Sequence, residues 1–436
     1  MRVISSFVIA AVCALACGKS DSASPVACDV GNGPTPHTNT STGDVTWLAA
    51  NNPHQIPLDL TVTGIVRLEP CTRVEIGAAK TVSVSGGGQL ISEGTAARPV
   101  TITRMGTANW ASIRAIGGTL RLVNTRVEYG GDPLNILTPL QAALDIRGDQ
   151  TLPTQGILHA DNLTVASSTS VGIVLHTGGG FDATSTGVTI TGSATYPINS
   201  WARAMGTIPS GTYTGNGIDE IFVPGSGGAE IIGENITVHD RGVPYHIGGH
   251  GQSGDLNVTA TAAGALATMT IDPGVTMRFT PNGVFHIESA AGTTAARGAL
   301  IAVGTAAKPI VFTSAVTPPA AGDWFGVYFG LVPAASNHVE NVRVEYAGGA
   351  SVSVGTVCNR PPTIPNAAIR IFGPPSSQFV TNTVIFSSAG HGIDRNWRSD
   401  TKIDFLPTNT FTNIAFCKQT YPADANGACP ATVPCP

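Results

Sequence analysis

The chain has 436 residues, of which only 12% are charged against a usual figure of about 25%, and its net charge is −5. No block of Lys or Arg offers a stripe for neutralising phosphates, which argues against a nucleic-acid partner. Outside the N-terminus no apolar run approaches the roughly 18 residues needed to cross a bilayer, and 52 Gly with 30 Pro demand constant turning.

Met1-Arg2 followed by an apolar run from Val3 to Ala16 reads as a secretory signal, one positive charge before a short hydrophobic stretch. The run ends Ala14-Leu15-Ala16-Cys17-Gly18 and resembles the lipobox of bacterial lipoproteins, with Ala14 where Leu is more usual. That resemblance implies residues 1–17 as the signal, Cys17 as the lipidated mature N-terminus, and an outer-membrane or cell-surface location. Cys13 is the poorer candidate because bulky Val12 precedes it. Cutting at a nearby small residue, as in an ordinary signal peptide, is the alternative. Residues 18–45 are rich in Ser, Thr, Pro and Gly and have little to bury, a spacer composition interrupted only by Cys28.

From about residue 46 the pattern becomes short alternating runs of Val, Ile, Leu and Thr punctuated by Gly, Asn or Pro, the signature of many short strands. These runs occur as two copies. Gly94-Thr95-Ala96-Ala97 returns as Gly304-Thr305-Ala306-Ala307, Trp110 as Trp324, and Asn124 through Tyr129 as Asn341 through Tyr346. Ala142 to Gly148 matches Ala367 to Gly373, Asn162 to Ile173 matches Asn382 to Ile393, and Pro53 to Ile56 sits where Pro244 to Ile247 does. Residues 46–234 and 235–416 are therefore two halves of one duplicated architecture, with residues 417–436 as a Cys/Pro-rich C-terminal cap.

A smaller unit recurs as Asn, an apolar residue or Thr, any residue, then Val or Ile. It starts at Asn124, Asn162, Asn235, Asn341 and Asn382, and more loosely at Asn413. Asn tolerates a left-handed backbone, so it suits a sharp bend into a strand. Alternation after the bend predicts Val127 and Tyr129 inside with Arg126 and Glu128 outside, and likewise Val344 and Tyr346 inside with Arg343 and Glu345 outside. The charged residues read as outward cross-strand pairs, and Trp110 and Trp324 as repeated packing residues.

Strands joined by single bends leave a sandwich of hairpins or a solenoid of stacked coils. Few Asn-Gly or Asp-Gly turns are present, which disfavours hairpins. The order Pro273-Gly274-Val275 (Pro70-Cys71-Thr72 in the first copy), the Gly-Thr-Ala-Ala block, the Trp and the Asn-x-x-Val-Glu-Tyr motif resembles the right-handed parallel β-helix proteins of exported, pectate-lyase-like type. The resemblance covers roughly Val66 to Phe416 and implies an all-β, right-handed parallel β-helix solenoid of two tandem multi-coil units. Coils of roughly 20–27 residues give about 13–17 of them and a rod on the order of 60–85 Å long. One continuous rod is expected, with two rods jointed near residues 225–233 as the alternative.

Setting aside Cys13 and Cys17, the cysteines are Cys28, Cys71, Cys358, Cys417, Cys429 and Cys435. In an exported chain they are expected to be oxidised, Cys28 with Cys71 at the N-terminal end and the other four around the cap, though pairing is open from sequence. A zinc site is the alternative, but no CxxC occurs.

Two polar clusters stand out. His239, Asp240, Arg241, His246 and His250 include a histidine pair four apart, a spacing that serves metals on a helix, where Gly248-Gly249 is unsuited. The stretch Gly248 to Leu256 is similar to a calcium-binding nonapeptide, but Asp255 is displaced by two and the unit is not iterated. Neither gives a metal or cofactor assignment, and the place reads as structural. His391, Asp394, Arg395 and Asp400, around Trp397, are the weak catalytic candidates, with a carboxylate as base and Arg steadying charge. Neither acid has an obvious partner at residues 412–417, so a solvated turn is the expected role. Trp201 and Trp397 are the candidates for stacking on sugar rings. No P-loop, nucleophile elbow, HExxH or dinucleotide fingerprint occurs. The expected function is a lipid-anchored, surface-exposed, non-catalytic rod binding polysaccharide or a protein partner. The alternative, a polysaccharide lyase or glycoside hydrolase of the pectin-acting β-helix type, is what the resemblance implies if the chain is an enzyme.

Overall fold

A computed structural model describes residues 28, 31–131, 142–148, 155–176, 178–225, 231–249, 254–287, 295–350, 358, 366–430 and 435. Cys17, the signal run, residues 18–27, 29 and 30 of the spacer, and His250 lie outside the described residues. Of the described residues 47% lie in strands and 3% in helix, arranged as stacked parallel strands in a parallel β-helix solenoid.

The alternation read from the sequence is what folds each strand. In Thr81–Ser85 only Val82 and Val84 face inward, and in Val188–Thr191 only Val188 and Ile190 do. Their counterparts on successive coils stack into apolar ladders, and one contiguous core runs from Trp47 to Phe405. One sheet of 14 strands extends from Ser41–Thr42 to Thr410–Ile414, one strand per coil. At about 4.8 Å per coil this wall is about 60 Å long. Successive strands on it begin between 19 residues (Ser41 to Leu60) and 42 residues (Val342 to Val384) apart. Seven of the thirteen spacings exceed the expected 20–27 residues, and the longest of them carries the insertion containing Cys358. The sheet passes directly from Ile221–Val223 to Tyr245–Ile247, so the rod's main wall is continuous across residues 225–233.

The corners follow from residues that accept a left-handed backbone. Asn124, Asn162, Asn341, Asn382 and Asn413 have φ of 43°, 52°, 50°, 47° and 54°. Asn235 differs: it is outside that region and its Oδ1 accepts the Thr268 N–H at 2.9 Å instead. Five residues after the bend a second left-handed residue follows, at Tyr129, Ser167, Tyr346 and Ser387. This corrects the inward placement of Tyr129 and Tyr346. The positive φ breaks the alternation and leaves both rings half-buried, Tyr129 under the Arg104 guanidinium at 3.9 Å and Tyr346 edge-on to Phe386. The charge pairs are likewise within one strand rather than across strands: Arg126 Nε donates to Glu128, and Arg343 lies 2.6 Å from Glu345. Trp110 and Trp324 are fully buried, and each donates its indole N–H at 2.8 Å, to the carbonyls of Glu128 and Glu345.

The two copies keep the same internal register but occupy different walls. His54–Ile56, Arg73–Ile76 and Val100–Arg104 lie in a 12-stranded sheet, whereas their counterparts Tyr245–Ile247, Thr276–Phe279 and Ile310–Ser314 lie in the 14-stranded one. The first-copy members of that long sheet include Thr81–Ser85 and Ser112–Ile116, whose counterparts Val284–Ile287 and Gly326–Phe329 belong to a six-stranded sheet. Val74 opposes His54 and Ile102 just as Met277 opposes Tyr245 and Phe312. The second copy is thus turned about the rod axis by one wall of three. Equivalent faces of the copies do not line up, and the long wall joins non-equivalent halves.

Cys28 is bonded to Cys71, Cys358 to Cys429 and Cys417 to Cys435. The first pair pins the spacer to the N-terminal coils, and the others tie the long insertion and the tail to the C-terminal end. Three disulfides are a feature of proteins that mature in an oxidising compartment. Among the described residues no helix is long and apolar enough to cross a membrane.

Candidate functional site

Of the C-terminal candidates only Asp400 lies in the expected solvated turn. His391, Asp394 and Arg395 belong to the strand His391–Arg395 and are all buried. Asp394 has its partner one coil earlier, where Arg370 Nε lies 3.1 Å away with both side chains fully buried. Its other oxygen accepts the Thr420 hydroxyl at 2.9 Å. These partners fall outside residues 412–417 because residues 417–420 continue the wall as its next coil, Thr420 N donating to Ile393 O at 3.0 Å. Arg395 gives its guanidinium to the carbonyls of Thr420 and Ile403, and His391 Nδ1 accepts the Cys417 N–H at 3.2 Å. Burial pulls the Arg395 pKa below its ordinary value. Trp397 is 1% exposed, so it packs in the core and offers no ring to a sugar. Asp400 is exposed and, with Arg395, Lys402, Asp404 and Tyr421, lines a cleft of about 670 Å³. The four candidates therefore do not converge: two are inside the wall, and Arg395 and Asp400 meet only across this cleft.

The cluster at His239 also separates. His239 pairs with Asp272 at 2.7 Å, His246 with Glu220 at 2.7 Å, and Arg241 caps the Ile208 carbonyl. Among the described residues no group of three or more His, Cys, Asp or Glu is placed to hold a metal ion.

A different set converges on the outer face of the continuous wall. Arg114 and Asp145 are register partners on adjacent strands, and Arg147, His176 and Trp201 form the next outward column on three successive coils. Asp145 is buried. Arg147 Nη2 lies 2.8 Å from it, His176 Nε2 3.1 Å and Arg114 Nε 3.4 Å. Burial alone would raise its pKa, but the His176 and Arg147 groups beside it outweigh burial and hold it at about 2. Trp201 Nε1 donates to His176 Nδ1 at 3.1 Å. An indole can only donate, so Nδ1 is the acceptor and the His176 proton sits on Nε2, toward Asp145. The two atoms approach to 3.1 Å without meeting hydrogen-bond geometry, so the contact acts as a close electrostatic approach.

Trp201, Arg147 and Arg114 are only partly buried, so the column offers a ring and two guanidinium groups to solvent beside a fixed anion. The wall continues through Asn199, whose buried amide makes no hydrogen bond, and then Tyr196 stacked on Phe222 at 4.9 Å. Glu220 follows, held below its ordinary pKa because His246 and Arg278 outweigh the upward effect of burial. This composite face exists because the wall of Asp145 in the first copy runs on into the wall of His246 and Arg278 in the second.

Sequence reasoning found Trp201 but missed Asp145 and its partners. The signal was present: in Ala143-Leu-Asp-Ile-Arg147 alternation puts Asp145 and Arg147 on one outward face. The copies also disagree there, with Arg370 opposite Asp145 and Tyr328 opposite Arg114. Each copy contains an Arg–Asp pair on its equivalent face, Arg114–Asp145 in the 14-stranded sheet and Arg370–Asp394 in the six-stranded one, displaced by one coil. Comparison with family models, curated proteins and solved structures finds no match for the chain.

Proposed function

We propose that the protein is an exported rod, tethered through a lipid on Cys17, that binds polysaccharide along its continuous wall without turning it over. The observation that carries this reading is the Arg147–His176–Trp201 column beside Asp145. An indole face takes the apolar face of a pyranose ring, and guanidinium groups pair with its hydroxyls or carboxylates. Trp201 is held in place by its bond to His176, so little side-chain freedom is lost on binding. A carboxylate fixed at about pKa 2 between two arginines is a weak base and stays ionised at neutral pH, which suits positioning rather than proton transfer.

The test is a glycan-array screen of the purified chain, followed by reducing-end and unsaturated-product assays on every glycan retained. Binding without product is expected, with Trp201→Ala weakening it about tenfold or more. Product formation would favour the lyase or hydrolase reading, and no retained glycan would leave a protein partner as the ligand. The anchor is checked separately: Cys17→Ala is expected to release the protein from membranes.

A further inference from the structure

The N-terminal end of the rod is closed by three aromatic rings. His37 stacks on Trp47 with centroids 4.1 Å apart and 16° between planes, and Trp47 stacks on His54 at 5.2 Å and 8°. Side by side on the indole, the histidines meet through ring nitrogens, His37 Nε2 lying 3.0 Å from His54 Nδ1. The other nitrogen of His54 is 3.0 Å from the Leu48 carbonyl. A carbonyl only accepts, so His54 carries a proton on Nε2, its Nδ1 accepts, and His37 Nε2 donates. The contact between the rings holds one proton. Were both rings charged, two N–H groups would oppose each other across it.

The stack joins what closes the first coils. His54 is 2% exposed and pairs with Thr35 and Val74 on neighbouring strands. Asn52 beside it donates its amide to the Cys71 carbonyl at 2.7 Å, next to the Cys28–Cys71 disulfide. The charged groups on the surrounding elements are otherwise engaged or solvated. Asp44 accepts the Ile65 N–H, Arg73 pairs with Glu75 and Gln55 with the other Glu75 oxygen, and Arg67 and Glu69 are exposed. Burial, with repulsion from His54, lowers His37 to about 4, and burial lowers His54 against a smaller opposing pull from the Leu48 carbonyl.

We propose that this ring stack is a pH-sensitive closure: neutral histidines hold the N-terminal end shut, and charging the pair releases the first coil. Thr35–Pro36 and Ser41–Thr42 then peel from His54–Ile56 and Leu60–Val62, uncovering strand edges able to pair with another extended chain. Both histidines titrate lower when folded than the unfolded 6.5. The closure is therefore fully present above that pH and is lost as pH falls through the folded value of about 4 for His37.

Hydrogen–deuterium exchange on the full, disulfide-intact chain tests this at about pH 7 and about pH 4, corrected for the intrinsic exchange rate. Protection at Thr35, His37, Thr61 and Thr63, whose N–H groups bond across these strands, is expected to fall about tenfold or more at the lower pH, while Thr276–Phe279 and Ile310–Ser314 keep theirs. His54→Gln can still donate to Leu48 and cannot charge, so its protection should be equal at the two pH values. Should that variant fail to fold, His37→Phe keeps the stack on Trp47, removes one of the two charges and gives the same reading. Unchanged wild-type protection, or an equal loss in the variant, would overturn the proposal.

Discussion

Gly94 lies so close beneath Asn124 that a methyl group on it would sit 2.5 Å from the Asn124 carbonyl oxygen. The Asn124 amide donates back to the Gly94 carbonyl at 3.1 Å, and Asn341 does the same to Gly304 at 3.3 Å. The repeated Gly-Thr-Ala-Ala block and the repeated Asn corner are thus two sides of one contact between adjacent coils. Gly94→Ala and Gly304→Ala should each cost about 1–3 kcal/mol through overpacking against backbone that cannot yield. Asn124→Ala should cost about 1–2 kcal/mol through the left-handed backbone, and Asn124→Gly less. Thermal midpoints of the four variants check the order; a Gly94→Ala midpoint equal to wild type would show that the coils can separate locally.

Arg370 and Asp394 form an ion pair with no exposure on either side chain. Removing one partner leaves the other charge buried, a change that costs about 3–5 kcal/mol. Arg370→Met and Asp394→Leu should each destabilise the C-terminal coils by that amount, and the double variant should recover most of the loss. Recovery should stop short of wild type because the Thr420 hydroxyl loses its acceptor. Denaturant midpoints arranged as a double-mutant cycle measure this, and strictly additive losses would contradict it.

Asp145 titrates at about 2 when folded against 3.8 in the open chain, so its ionised form stabilises the fold by about 2 kcal/mol. The folded value is the lower one. The contribution is therefore present above about pH 4 and disappears as pH falls through about 2. Asp145→Asn lacks it at every pH. Unfolding free energies of the two proteins should differ most at neutral pH and draw together toward pH 2, whereas a gap of constant size would assign the effect to packing.

Several corrections share a cause. Trp397 and Trp201 look alike along the chain, each beside a polar run, yet one is core and the other lies on the open wall. Burial of an outward-facing residue depends on what covers it, and that is set by coils far away in sequence. Asp394 illustrates the same point: its partner Arg370 precedes it by one coil, and coil lengths vary too widely for register to be read by counting. Tyr129 and Tyr346 failed for a local reason, since a second left-handed residue five positions after each Asn breaks the alternation.

What the amino-acid sequence determined by itself is the local physics: period-two alternation for the strands, Asn and Gly at corners that need positive φ, and the duplication of the whole unit. The first two depend on a residue and its near neighbours and the third on comparing the chain with itself, so all are legible in the linear order. Tertiary structure decided how coils meet. It turned the second copy by one wall, paired the six outer cysteines, sealed His391 and Asp394 inside, and gathered Arg114, Asp145, Arg147, His176 and Trp201 on one face. Each of those outcomes rests on contacts between coils, and stacking register across a coil is fixed by the packing of side chains that the linear order does not place side by side.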